Sequence, residues 1–189
     1  MNKKSLSQEE ILQASCEIIR EKGLVDLNMR EVASRTHVAL GSIYNYFPSK
    51  NDLLIAVIGS IWKEIMASFN KEEHLNDFIN YISCLFKTIS TGKEQYPDFF
   101  TMHAIHFSNS SKDKGRVEME HYLEQIKAGM YESLLTDSRI KKDLFNHELS
   151  ASALIDFVFD NMMTALVKGN KNIDLLLYII SSTLYDQCS

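Results

Sequence analysis

The chain has few of the residues that interrupt helices, with seven glycines and two prolines among 189 residues. Asn-Gly and Asp-Gly pairs, the strongest short signals of a β-hairpin, do not occur. Three cysteines, Cys16, Cys84 and Cys188, stand far apart and form no Cys-x-x-Cys pair, so neither a disulfide framework nor a zinc site is indicated. No stretch approaches the roughly 18 consecutive apolar residues needed to cross a bilayer. The opening MNKKSLSQEE lacks the apolar segment of a signal peptide, and the expectation is a reduced, cytoplasmic protein. Neither Gly-x-Ser-x-Gly nor His-Glu-x-x-His occurs, and a nucleophilic triad can be assembled only by choosing residues freely, so no enzyme, metal or cofactor is expected.

What remains is a folded composition, 45% apolar and 24% charged. Apolar residues recur at three- and four-residue spacing along most of the chain, which predicts an all-α fold of about nine helices. Ser7-Gln8-Glu9-Glu10 reads as a capping box opening the first helix, with Gly23 as its stop. Asn28 to Glu31 opens a second helix through about Arg35, with Val32 and Ala33 inward. After the tight connection Thr36-His37-Val38 a third helix runs from about Ala39 to Tyr46. Pro48 ends it, because the residue before proline is pushed out of the helical region. Ser49 to Asp52 is a third box, starting a helix through about Asn70. Further helices are expected at about 72–91, 94–108, 113–135, 147–168 and 171–187, with Gly92 and Gly169-Asn170 among the separators.

Charge is unevenly placed. The net of −5 hides a first segment, 1–50, with seven Lys/Arg against six Asp/Glu, and a remainder, 51–189, with thirteen against nineteen. The chain is accordingly divided into a small head, 1–50, and a larger domain, 51–189. Within the head, "GSIYNYFPSK", residues 41–50, is unusually aromatic. At 100° per residue Ile43 and Phe47 fall together on the core side. Gly41 and Asn45 lie opposite, flanked by Ser42 and Tyr44, and Tyr46 falls near the core boundary. Such a rim suits a phosphate-lined groove: tyrosine hydroxyls donate to phosphate, Gly41 permits close approach, and Lys50 adds a cation at a helix start. A helical hairpin using its tyrosines at a protein interface has the same spacing.

The segment "LNMREVASRTHVALGSIYNYFPSKNDLL", residues 27–54, resembles the DNA-binding segment of the TetR family of bacterial transcriptional regulators. The matching residues are Arg30, Val32-Ala33, Val38, Gly41, Ile43-Tyr44, Tyr46-Phe47, Lys50 and Leu53. The resemblance implies a three-helix helix-turn-helix head in which Arg30 reaches a base or phosphate and Ser42, Tyr44 and Asn45 lie on the recognition helix. It places Tyr46 and Lys50 against phosphates. Departures from the commoner pattern are His37 for a turn glycine, Ala39 for a capping Ser or Thr, Asn28 for Thr, and Leu40 for a polar or basic residue. Leu40 suits a thymine methyl better than a hydrogen bond.

The resemblance further implies that the larger part binds a small hydrophobic effector and forms a homodimer through about 147–168 and 171–187, so that the operator is an inverted repeat in double-stranded DNA. Trp62, Met66, Phe100, His103, Phe107 and Tyr122 are the candidate pocket residues; each also suits a plain core. His103 and His106 have metal-ligand spacing on a helix, but core or solvated histidines are the favoured reading and no metal is expected. The expected function is a ligand-responsive regulator, a repressor released by its effector. The alternative is a helical ligand-binding or interaction protein with an inactive DNA-binding head.

Overall fold

Nine α-helices and one 3₁₀ turn, with no strand, make up the described residues of the computed structural model, 6–96, 114–141, 143–146 and 149–186, with backbone alone over 114–119. In chain order they are α1 (Gln8–Lys22), the 3₁₀ turn Leu24–Asp26, α2 (Met29–Arg35), α3 (Leu40–Tyr46) and α4 (Lys50–Ala67). There follow α5 (Lys71–His74), α6 (Phe78–Gln95), α7 (Lys114–Thr136), α8 (Ala151–Lys168) and α9 (Asp174–Leu184). The all-α expectation is met, and the chain divides into two compact units. One comprises Met1–Glu64 with Gly92–Glu120, the other Ile65–Thr91 with His121–Ser189.

In the first unit the caps read from sequence form. The Glu10 amide donates to Ser7 Oγ (3.1 Å) and the Ser7 amide to the Glu10 carboxylate (2.9 Å), closing the capping box of α1. Gly23 stops the helix at φ 87°, a backbone region where a side chain would be strained. Ile11, Ile18, Leu27, Val32, Ile43 and Leu53 are buried together with Phe47, so α1 to α4 share one small core. At its edge Arg20 of α1 donates to the Tyr96 hydroxyl oxygen (2.6 Å), Tyr96 donates to Glu64 of α4 (2.7 Å), and Arg20 pairs with Glu64. Burial and the Glu64 carboxylate both push the Tyr96 phenol above its ordinary range, which keeps it a proton donor.

The second unit corrects the expected helix at 72–91. A short α5 comes first, and α6 then starts at Phe78 because two carboxylates take its free amides: Asp137 accepts from the Phe78 amide (3.0 Å) and Asp77 from the Asn80 amide (3.0 Å). Gly92 does not end α6, which passes through it to Gln95. A single helical glycine costs about 1 kcal/mol against alanine, too little to stop a long helix, and Gly92 is buried. The helix α4 stops at Ala67 rather than about Asn70, α8 begins at Ala151 with Ser150 as its cap, and α9 begins at Asp174. The expected helix at 94–108 lies almost wholly outside the described residues. Gly169, expected as a separator, closes α8 in the left-handed conformation at φ 75°. A second glycine, Gly129 in α7, sits where the Tyr81 phenol of α6 occupies the place of a side chain, so the two helices pack closely there.

Asp137 is the electrostatic centre of this unit. It is buried and also accepts from Arg139 (2.9 and 2.7 Å) and the Tyr185 hydroxyl (2.7 Å). Burial by itself would raise its carboxyl, but these donors together outweigh that and hold it well below the usual carboxylate range. A carboxylate with a depressed folded pKa adds stability above its unfolded value near 3.9, and that stability is lost as pH falls below it. Asp137→Asn is therefore expected to lower unfolding free energy at pH 7 by about 2 kcal/mol, the scale of hydrogen bonds to a charged group. Urea melts at pH 7 and pH 3 check this: the gap between variant and wild type should narrow at the lower pH.

Candidate nucleic-acid interface

The interface is assembled from three consecutive helix starts and one turn. Asn28 caps α2, its Oδ1 accepting the Glu31 amide (2.9 Å). The expected reciprocal half of that box is absent, because the Glu31 carboxylate binds Lys22 instead (2.8 Å). His37 takes φ 57°, so the residue standing in for a turn glycine adopts the glycine-like conformation. The Val38 amide donates back to the Ala33 carbonyl (3.0 Å), which closes the turn. Ala39 then precedes α3 in extended conformation with no side-chain cap. Ser49 caps α4 through the Asp52 amide (3.1 Å), while the Asp52 carboxylate accepts the Ser49 hydroxyl (2.6 Å).

Ile43 and Phe47 are buried at 0% and 4% exposure, whereas Tyr44 and Tyr46 are 45% and 42% exposed. Arg30, Gly41, Asn45 and Lys50 are exposed, and Leu40 and Ser42 are half-buried. The inward and outward residues of α3 are thus those that the helical wheel separates.

Charge in the head resolves further than its formal sum. Arg20 pairs with Glu64, Lys22 with Glu31 (2.8 Å) and Arg35 with Glu21 (2.6 Å). Arg30 and Lys50 make no ion pair among the described residues. Glu64, Glu31 and Glu21 thus hold Arg20, Lys22 and Arg35, while Arg30 and Lys50 beside the tyrosine rim are held by no carboxylate among the described residues.

Two features were missed in the sequence. The Tyr46 hydroxyl donates to the Leu6 carbonyl, tying the end of α3 to the chain entering α1. The Arg20–Glu64–Tyr96 cluster joins residues far apart in sequence. No local pattern signals either contact.

The expected effector residues are less informative. Trp62 is buried in the first unit, and Met66 and Tyr122 are half-buried in the second. Phe100, His103, His106 and Phe107 lie outside the described residues. No group of three or more His, Cys, Asp or Glu suited to a metal occurs among the described residues. On α8 and α9 a different feature stands out. Phe157, Leu175, Tyr178 and Ile179 are 49, 73, 70 and 47% exposed, and an open groove of about 370 Å³ runs beside them. Apolar exposure of this kind marks an interaction face.

Residues 11–57 match the family model described as bacterial regulatory proteins, tetR family. Over 64 residues the chain is 38% identical to the HTH-type transcriptional repressor KstR of Mycolicibacterium smegmatis, covering 34% of this chain and 31% of that protein. The chain thus aligns with about a third of the length of this relative. The fold extends further. The structure of BioQ with its double-stranded DNA operator matches with TM-score 0.65 and 16% identity, over 93% of this chain and 96% of that one. That of the multidrug binding protein EbrR complexed with imidazole matches with TM-score 0.60 and 16% identity, over 96% and 91%.

Removing the buried ring of Phe47 is expected to cost about 3–5 kcal/mol. Phe47→Ala should melt the head before the rest of the chain, read as an added low-temperature transition in calorimetry; a melt like that of the wild type would contradict the packing described.

Proposed function

We propose that this chain, whose N-terminal head is of the TetR family, is a homodimeric repressor that binds an inverted-repeat operator and is released by a small hydrophobic effector. The observation that carries the DNA-binding reading is the pair of cations, Arg30 and Lys50, unpaired among the described residues and flanking a rim of exposed Tyr44, Asn45 and Tyr46 with half-buried Ser42. Backbone phosphates are gripped by such side chains, while base edges are read by short polar groups on a helix in the major groove. Helices α2 and α3, with the turn between them, have the spacing of a helix-turn-helix.

Dimerisation rests on the apolar face of α8 and α9, which a second copy would cover with two-fold symmetry. Two heads related by such an axis read two half-sites about one helical turn apart. KstR is by name a transcriptional repressor, BioQ was solved on an operator, and EbrR is a multidrug binding protein, which supports repression and effector control by likeness. An effector acts only if it binds the DNA-competent and incompetent arrangements with different affinity.

The direct test is selection of bound duplexes from random DNA. An inverted repeat should emerge, and a protein that enriches no sequence would refute the reading. Lys50 supplies a sharper measurement. It is the first residue of α4, where a cation is electrostatically disfavoured unless an anion arrives. Lys50→Ala should weaken specific and random DNA alike and reduce the magnitude of the salt slope by about 1 per protomer. Fluorescence anisotropy across a salt series gives both quantities.

A further inference from the structure

The recognition helix α3 contains a glycine for which the fold supplies no reason. Gly41 is exposed and lies in the first turn of a seven-residue helix. It is not among the glycines with positive φ, so its backbone suits any residue. A Cβ built on it would meet nothing within 4 Å beyond its own chain neighbours and helix backbone, so no packing requires its absence. Three other glycines differ: Gly23 and Gly169 have positive φ, and Gly129 lies against Tyr81. Glycine lowers the stability of a helix interior by about 1 kcal/mol relative to alanine. So short a helix, without a side-chain cap at Ala39, has little to spare. The requirement for Gly41 therefore lies outside the chain, in a surface that approaches α3 closely.

We infer that the bare Gly41 position is a notch that receives the 5-methyl group of a thymine, making Gly41 and Leu40 specificity-determining residues for an A·T pair in each half-site. This rests on the DNA-binding reading above and goes beyond it by naming what is read. Thymine alone among the four bases presents a methyl group in the major groove. The notch has the chemistry to take it. Leu40, half-buried beside it in sequence, offers an apolar side chain and no hydrogen bond. One turn further, Asn45 is exposed on the same side as Gly41, where an amide can pair with adenine. A cation or hydroxyl at position 40 would favour guanine or a phosphate, and a Cβ at position 41 would fill the space the methyl needs.

The test uses the full chain and the duplex it selects from random DNA. Each thymine is replaced in turn by uracil, which lacks only the methyl group. One thymine per half-site should be sensitive, losing about fourfold in affinity, the value of burying one methylene-sized group. Gly41→Ala should raise the melting temperature of the head, bind the thymine duplex more weakly than wild type, and lose the preference for thymine over uracil at that position. Leu40→Ser should reduce the same preference without the gain in stability. The inference is overturned if no thymine is sensitive, or if Gly41→Ala retains the full thymine preference. It is also overturned if Gly41→Ala destabilises the head, since the glycine would then serve the fold. If the wild-type chain selects no DNA at all, the DNA-binding reading fails, and with it this refinement. Selection that succeeds while uracil substitution is silent leaves that reading standing and removes only the notch.

Discussion

A helix of two turns has almost no stability in water by itself, because nucleation fixes several residues for each hydrogen bond gained. The helix α3 is seven residues long and lacks a side-chain cap, so its existence depends on burying Ile43 and Phe47. Everything proposed for the head follows from that dependence. Two inward residues fix the rotation of α3, and the rotation decides that Gly41, Tyr44 and Asn45 face out. The surrounding devices serve the same end: the left-handed His37 aims the chain into α3, and Pro48 with the Ser49 cap takes it out into α4.

The head was largely legible in sequence because its determinants are local. Caps at Ser7, Asn28 and Ser49, the positive φ at His37 and the inward pair Ile43 and Phe47 all follow from residues within a few positions of one another. The second unit was less so. The start of α6 at Phe78 depends on Asp137, which lies on a distant part of the chain and cannot be seen as a cap from the sequence around Phe78. Gly92 misled in the opposite direction, because a lone glycine marks a stop only when nothing else holds the helix together. The candidate effector residues were chosen by aromatic content, which does not distinguish a pocket from a filled core. For α8 and α9 the resemblance named only the spans 147–168 and 171–187, and which apolar residues stay exposed there, such as Leu175, Tyr178 and Ile179, depends on packing that no local pattern fixes.

The division of charge in the head shows why net charge was a poor guide. Six acidic residues against seven basic ones is nearly neutral over 1–50. Three of the basic residues are held by carboxylates that fasten α1 to α2 and α4, and exposed pairs of this kind contribute little to stability individually. Their larger effect is on where positive potential remains. By absorbing Arg20, Lys22 and Arg35, the carboxylates leave Arg30 and Lys50 as the unpaired cations among the described residues of the head, which gives the field a direction as well as a magnitude.

The bond from Tyr46 to the Leu6 carbonyl bears on how the molecule can be handled. It fastens the chain entering α1 at Leu6 to the last turn of α3, the helix proposed to read DNA. On the proposed DNA-binding reading, a bulky or highly charged fusion near Leu6 would act as a shield or a lure for nucleic acid. A small neutral extension leaves the surface open. The chemistry of a purification handle at this end is thus a variable of the binding experiment itself.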